Sequence, residues 1–208
     1  MIRGERQVSE QLQPLNSIGP VGDSQAKKDE ALNDPAKADY KAGRDFLQQG
    51  EYAQAANAFH NALLGFEEQG DEQGIANASD RLGDVCVARE EYGMALEHFR
   101  RVVAICEKEQ DALSIQALNK KMAGIYKRLG ELDKALDLLF DIIDYYAVTR
   151  NPKGTVEILE VIAEVYMEQG EKEKAADALR TVASIHTNFK HRDEAREFAE
   201  RAAMVEQG

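Results

Sequence analysis

Gly50-Glu51-Tyr52-Ala53-Gln54-Ala55 returns three times along the chain, as Glu90-Glu91-Tyr92-Gly93-Met94-Ala95, Gly130-Glu131-Leu132-Asp133-Lys134-Ala135 and Gly170-Glu171-Lys172-Glu173-Lys174-Ala175, each copy starting 40 positions after the one before. A fixed period of this size marks a repeat array, whose units cannot bury their apolar faces alone and must stack. The same period carries Ala42, Leu82, Met122 and Ile162; Asp45, Val85, Ile125 and Val165; and Phe46, Cys86, Tyr126 and Tyr166. A small residue recurs at Gly43, Gly83, Ala123 and Ala163, and a bulky one at Phe59, Phe99, Leu139 and Leu179.

Inside each unit the apolar spacing is helical. Ile75, Ala78, Leu82, Val85 and Cys86 step by three, four, three and one, the stripe of a helix seated on a core. Ala95, Phe99, Val102, Val103 and Cys106 fall on one face of a second helix. A unit is therefore a helical hairpin closed by a Gly-Glu-Tyr type turn. Asp71, Asp111 and Asn151 stand where first helices begin, with side chains suited to accept from free N–H groups. Pro152 after Asn151 and Pro35 after Asp34 suit the first helical position, where a missing N–H costs nothing. The spacing predicts helices over 35–49, 52–69, 72–89, 92–109, 112–129, 132–148, 152–169 and 172–187. A ninth over about 192–206, with a narrow Ala195, Phe198, Ala199, Ala202 stripe among charges, is expected to close the array. The expected fold class is all-α, a right-handed superhelical α-solenoid of about four antiparallel hairpins plus the capping helix, over residues 34–208. Residues 1–33, with Pro14, Gly19, Pro20 and Gly22 among scattered apolar positions, form a separate segment. It is either a loose tail or a segment, Leu12 to Val21, docked on the first helices of its own chain or of a second copy.

Composition excludes several classes of partner. The 208 residues carry a formal charge of −12, which repels phosphate backbones and anionic lipid, so neither nucleic acid nor membrane insertion is expected. No run approaches the ~18 apolar residues of a membrane span, and the N-terminus has no apolar secretion signal. Cys86 and Cys106 lie inside apolar helical stripes and are expected as free core thiols, which suits a cytoplasmic location.

The hairpin resembles the tetratricopeptide repeat family, with Leu82, Gly83, Tyr92, Ala95 and Phe99 of the second unit matching its pattern best. The period of 40 instead of the usual ~34 is similar to the long-repeat variants found in kinesin light chains. The resemblance implies a protein-binding scaffold or adaptor whose first helices line a concave face, with a peptide-responsive regulatory sensor as the alternative. It carries no catalytic role. In members that clamp a C-terminal carboxylate, the clamping places correspond to Tyr40, Arg44, Arg81, Ala117 and Lys121 here, and only Lys121 keeps the chemistry.

On that geometry the partner-binding candidates are the polar residues of the first helices. They are Lys37, Tyr40, Lys41 and Arg44; Asn77, Asp80 and Asp84; Lys120, Lys121, Lys127 and Arg128; and Glu157, Glu160, Glu164 and Glu168. The bands run mainly basic, acidic, basic, acidic. They either neutralise each other as exposed ion pairs or form a striped groove that sets the register of a peptide or helix. Tyr40 is either an anchor in that groove or a packing residue. A protein or peptide is the expected partner, and a homodimer is the other association considered. No phosphate-binding glycine loop, Cys-x-x-Cys pair or His-Glu-x-x-His helix is present in the sequence, so no enzyme, cofactor or metal is expected. His60 and His98 read as exposed helix positions, and His186 and His191 as isolated from any carboxylate pair. The Glu160, Glu164, Glu168 row reads as a solvated or lysine-paired face.

Overall fold

A computed structural model describes residues 34–207. The two readings offered for residues 1–33 lie outside the described residues. Nine helices follow one another among those described: α1 (Pro35–Gln48), α2 (Tyr52–Gln69), α3 (Glu72–Ala88), α4 (Tyr92–Glu109), α5 (Ala112–Arg128), α6 (Leu132–Thr149), α7 (Pro152–Gln169), α8 (Lys172–Asn188) and α9 (Arg192–Gln207). Each packs chiefly against the helix before it and the helix after it, which makes the protein an all-α repeat solenoid.

Capping sets where the first helices begin. Asp34 Oδ1 accepts from Ala36 N at 3.0 Å, Asp71 from Gly74 N at 2.9 Å, Asp111 from Ser114 N at 3.1 Å and Asn151 from Gly154 N at 2.9 Å. Each satisfies a donor that the helix itself leaves free, and such a cap contributes about 1 kcal/mol. The helices end alike. The N–H groups of Glu51, Glu91, Glu131 and Glu171 return to the carbonyls of Phe46, Cys86, Tyr126 and Tyr166 across a residue with positive φ. That residue is Gly at positions 50, 130 and 170 but Glu90 in the second unit, at φ 60°.

The two helices of a hairpin meet at a matched pair of sizes. A Cβ at Gly43 would stand 2.7 Å from the Phe59 ring, and one at Gly83 would be closer still to Phe99. Both phenylalanines are fully buried. In the third and fourth units the glycine is Ala123 or Ala163, and the ring's place in the register is held by the buried Leu139 or Leu179. Backbone approach and ring volume have thus been exchanged for a methyl group and a smaller side chain. The same trade recurs between units. Gly74 lies under Phe66 and Gly154 under Tyr146, each too close to admit a Cβ, whereas Ser114 takes that place opposite Cys106.

Burial follows the repeat except at the array's ends. Val85, Ile125 and Val165 are buried, but the equivalent Asp45 is exposed because α1 has no preceding helix among those described. In α9 the buried residues are Phe198 and Ala202, with Val205 partly buried against the core. Ala199, expected in that stripe, is exposed because the stripe follows the face seated on α8. Cys86 and Cys106 are free, buried thiols, and burial pushes both above their ordinary pKa. His98 corrects its expected exposure: it is half-buried, and burial first, then the nearby Arg101 charge, holds its imidazole below the usual value.

Gly83→Ala separates packing from helix propensity. Alanine is the better helix former by about 1 kcal/mol, yet here it should cost roughly 1–3 kcal/mol through overpacking against Phe99. Adding Phe99→Leu, which reproduces the third unit's pair, should recover most of that loss in a urea-unfolding double-mutant cycle. Additive losses would show that the size match is not what sets the helix spacing.

Candidate partner-binding groove

The first helices of the second and third units, α3 and α5, line a hollow of about 310 Å³ together with Val102, Cys106 and Glu109 of α4. Ala76, Ala117 and Leu118 leave room in it, and Asn77, Asp80, Arg81 and Lys121 supply its polar wall. A second hollow of about 350 Å³ lies beside α1, between Tyr40, Arg44, Leu47, Gln48 and Arg81. Arg81 borders both, so the two hollows adjoin.

Four charges hold the wall in place. Lys121 Nζ donates to Asp80 and Asp84, each at 2.7 Å, and Arg81 reaches the same two carboxylates at 2.7 and 3.0 Å. Two acids and two cations form a neutral ring, and Lys121 also lies 5.0 Å from the centre of the Phe99 ring, linking the polar wall to the packed core. Further along, Lys127 pairs with Glu164 at 2.8 Å and Glu168 at 3.2 Å, and Lys120 approaches Glu157 at 3.9 Å. Glu160 takes Arg201 of α9 at 3.2 Å. Partners bonded between adjacent first helices stand 37 or 41 residues apart, three short of the period or one beyond it. A side chain at those offsets meets its counterpart on the next first helix.

The alternating bands therefore face and neutralise one another from the second unit to α9. Several candidates change meaning as a result. Lys121 is held by Asp80 and Asp84, so it is not a free cation for a ligand's carboxylate. Arg128 lies toward α4, 3.3 Å from the Tyr92 hydroxyl, and that hydrogen bond raises its pKa. Tyr40 packs its ring on Phe59 and Phe66, at centroid distances of 5.5 and 6.4 Å, while remaining part of the hollow beside α1. Lys37 pairs with the cap Asp34 at 3.1 Å. Lys41, Arg44 and Asn77 are exposed, and neither cation forms an ion pair among the described residues. Arg81 was absent from the charge-band reading, although it follows Asp80 and stands at one of the carboxylate-clamp places.

His186 and His191 are not isolated from each other. Their Nδ1 atoms are 3.4 Å apart, and His186 stacks on Phe198. Among the described residues no group of three or more His, Cys, Asp or Glu is placed to hold a metal, and no helix is long and apolar enough to cross a membrane.

The ion pairs give a pH-dependent expectation. Hydrogen bonding to Glu164 first, and then to Glu168, raises Lys127 above its ordinary pKa. A raised cation contributes stability that is fully present below its unfolded pKa, about 10.4, and is lost as pH rises through the folded value. The stability difference between the protein and its Lys127→Met variant should be level from pH 7 to about pH 9 and shrink above about 10.4. A difference that persists undiminished at higher pH would assign it to the lysine's apolar stem.

Residues 34–108 match the family model described as tetratricopeptide repeat. Comparison with curated protein sequences finds no match. Among solved structures, the tetratricopeptide-like repeats of a Podosopora anserina putative kinesin light chain share the fold at TM-score 0.60 and 18% identity, over 84% of this chain and 97% of that one. The apo form of RapI aligns at TM-score 0.64 and 16% identity, over 86% of this chain and 67% of that one. A Rap protein complexed with Competence and Sporulation Factor aligns at TM-score 0.52 and 16% identity, over 83% of this chain and 52% of that one. The family model matches the first two hairpins, and the same hairpin continues through the described residues at one period, so the fold is a solenoid of tetratricopeptide-like hairpins with a 40-residue unit.

Proposed function

We propose that this protein is an interaction scaffold or adaptor that takes an extended or helical segment of a partner protein into the groove between its first helices. The observation that carries the reading is the contrast within the groove. Ala76 and Ala117 leave its floor open, while Asp80, Arg81, Asp84 and Lys121 are already fixed to one another. A wall ordered in advance loses little entropy on binding, and its paired charges still present donors and acceptors for register. Lys41 and Arg44 on α1 leave that end of the groove cationic. The preferred segment is therefore polar and small-residue-rich at its centre, with an acidic residue at the end that reaches α1. The tetratricopeptide fold supports protein binding in general, and scaffolding without catalysis is its usual use. The buried thiols fit a reducing cytoplasm.

A sensor is the second reading, favoured by the similarity to a Rap protein seen in complex with a signalling factor. In that case the segment would be a free peptide, and binding would alter the superhelix.

Ala117 offers the cleanest test because it is exposed and makes no polar contact. Peptides selected from a random display library on the full chain should bind with at least tenfold lower affinity to the Ala117→Arg variant by calorimetry, while the melting temperature stays within about 2 °C. Selected peptides that bind both proteins equally would remove the groove from the function. Peptide-induced compaction in small-angle scattering would favour the sensor over the scaffold.

A further inference from the structure

The ends of the second helices and the starts of the first helices form one edge of the solenoid. Its shared register is visible where Lys108, near the end of α4, meets Glu72, at the start of α3, at 3.2 Å. Along this edge equivalent positions change character halfway through the array. The early units place Glu67, Glu68, Glu72, Glu107 and Glu109 there. In the third unit, Val148 and Ala112 hold the places of Lys108 and Glu72. Val148 is 84% exposed and the neighbouring Leu113 68%, and Phe189, in the place of Gln69 and Glu109, is 55% exposed. Beyond Val148 the charged residues of the two turns begin with cations: Arg150 and Lys153, then Lys190 and Arg192.

Pairing sets this edge apart from the groove. Among the described residues none of those four cations forms an ion pair, and neither do Glu68, Glu107 or Glu109. The bands along the first helices are matched within the chain, whereas the edge carries unmatched acids on one side of an apolar centre and, on the other, the four unmatched cations with the single unmatched acid Glu194. Such a surface is complementary to itself. Turned by a half-rotation about the third unit, it places acid against base on both sides and Leu113 of each copy against Val148 of the other. That is the requirement for an isologous interface, in which the same patch serves both subunits. The net charge of −12 makes two copies repel at a distance, so association depends on this local match at contact.

We propose that a second copy of this chain docks on this edge across a twofold axis at the third unit. Leu113 and Val148 of both copies form the centre, and Arg150 and Lys153 of each copy face Glu107 and Glu109 of the other. The surface is separate from the concave groove, so a dimer would leave two grooves open for partners.

Light scattering on the full chain, at concentrations up to about 100 µM, tests the proposal through mass action. The expected mass is twice the 23.2 kDa of one chain. Leu113→Asp with Val148→Asp should raise the dissociation constant at least tenfold without lowering the melting temperature, since both side chains are exposed. Arg150→Glu with Lys153→Glu should give a monomer, and so should Glu107→Lys with Glu109→Lys. An equimolar mixture of these two charge variants should recover the dimer, because every edge contact then joins opposite charges. A wild-type chain that stays monomeric over this range would overturn the proposal, as would a dimer that keeps its affinity in the Asp variants or charge variants that fail to complement each other.

Discussion

A phenyl ring lying on the backbone of the facing helix sets the spacing within the first two hairpins, and much else follows from that approach. Phe59 over Gly43 and Phe99 over Gly83 bring the axes close enough that the chain must turn between them in a few residues. Where the ring becomes Leu139 or Leu179, the glycine becomes an alanine, so the sum of the facing volumes is conserved. Close-packed interiors allow this kind of exchange but penalise a change on one side alone. The array keeps one period because every unit solves the same contact with the same total volume.

That regularity also organises the charges. Once successive first helices are held in one register, a residue's neighbour on the next helix is determined, and Asp84 with Lys121 or Lys127 with Glu164 are consequences of that register. Individually such pairs contribute little at an exposed surface. Their larger effect is to order the groove wall. Neutral walls favour selectivity over long-range attraction, which suits a protein whose net charge would otherwise repel acidic partners.

The ends of the array show how far one unit's rules extend. Asp45 replaces the buried Val85, Ile125 and Val165, and α9 keeps only Phe198 and Ala202 buried. The last junction abandons the pattern of the others: His186 stands where Phe66, Cys106 and Tyr146 stand, His191 replaces the capping Asp or Asn, and Glu194 replaces the small residue. The two imidazoles then approach each other and Phe198. Among the described residues this junction receives α9 alone, whereas each earlier junction receives a whole hairpin.

The period of 40, the helical stripes and the caps at Asp34, Asp71, Asp111 and Asn151 determined the fold from sequence alone, because each is a local rule that a repeat states four times. The alternating charge bands were equally visible. Sequence spacing could not choose between a striped groove and mutual neutralisation, since that depends on which side chains reach across the helix interface. Only the tertiary structure turned Arg128 toward Tyr92, packed Tyr40 on Phe59, half-buried His98 and drew Arg81 into the ring with Lys121. Those outcomes depend on distances between residues 19 to 41 apart in the chain, set by the crossing of packed helices. A period in the sequence repeats such distances from unit to unit but does not supply them.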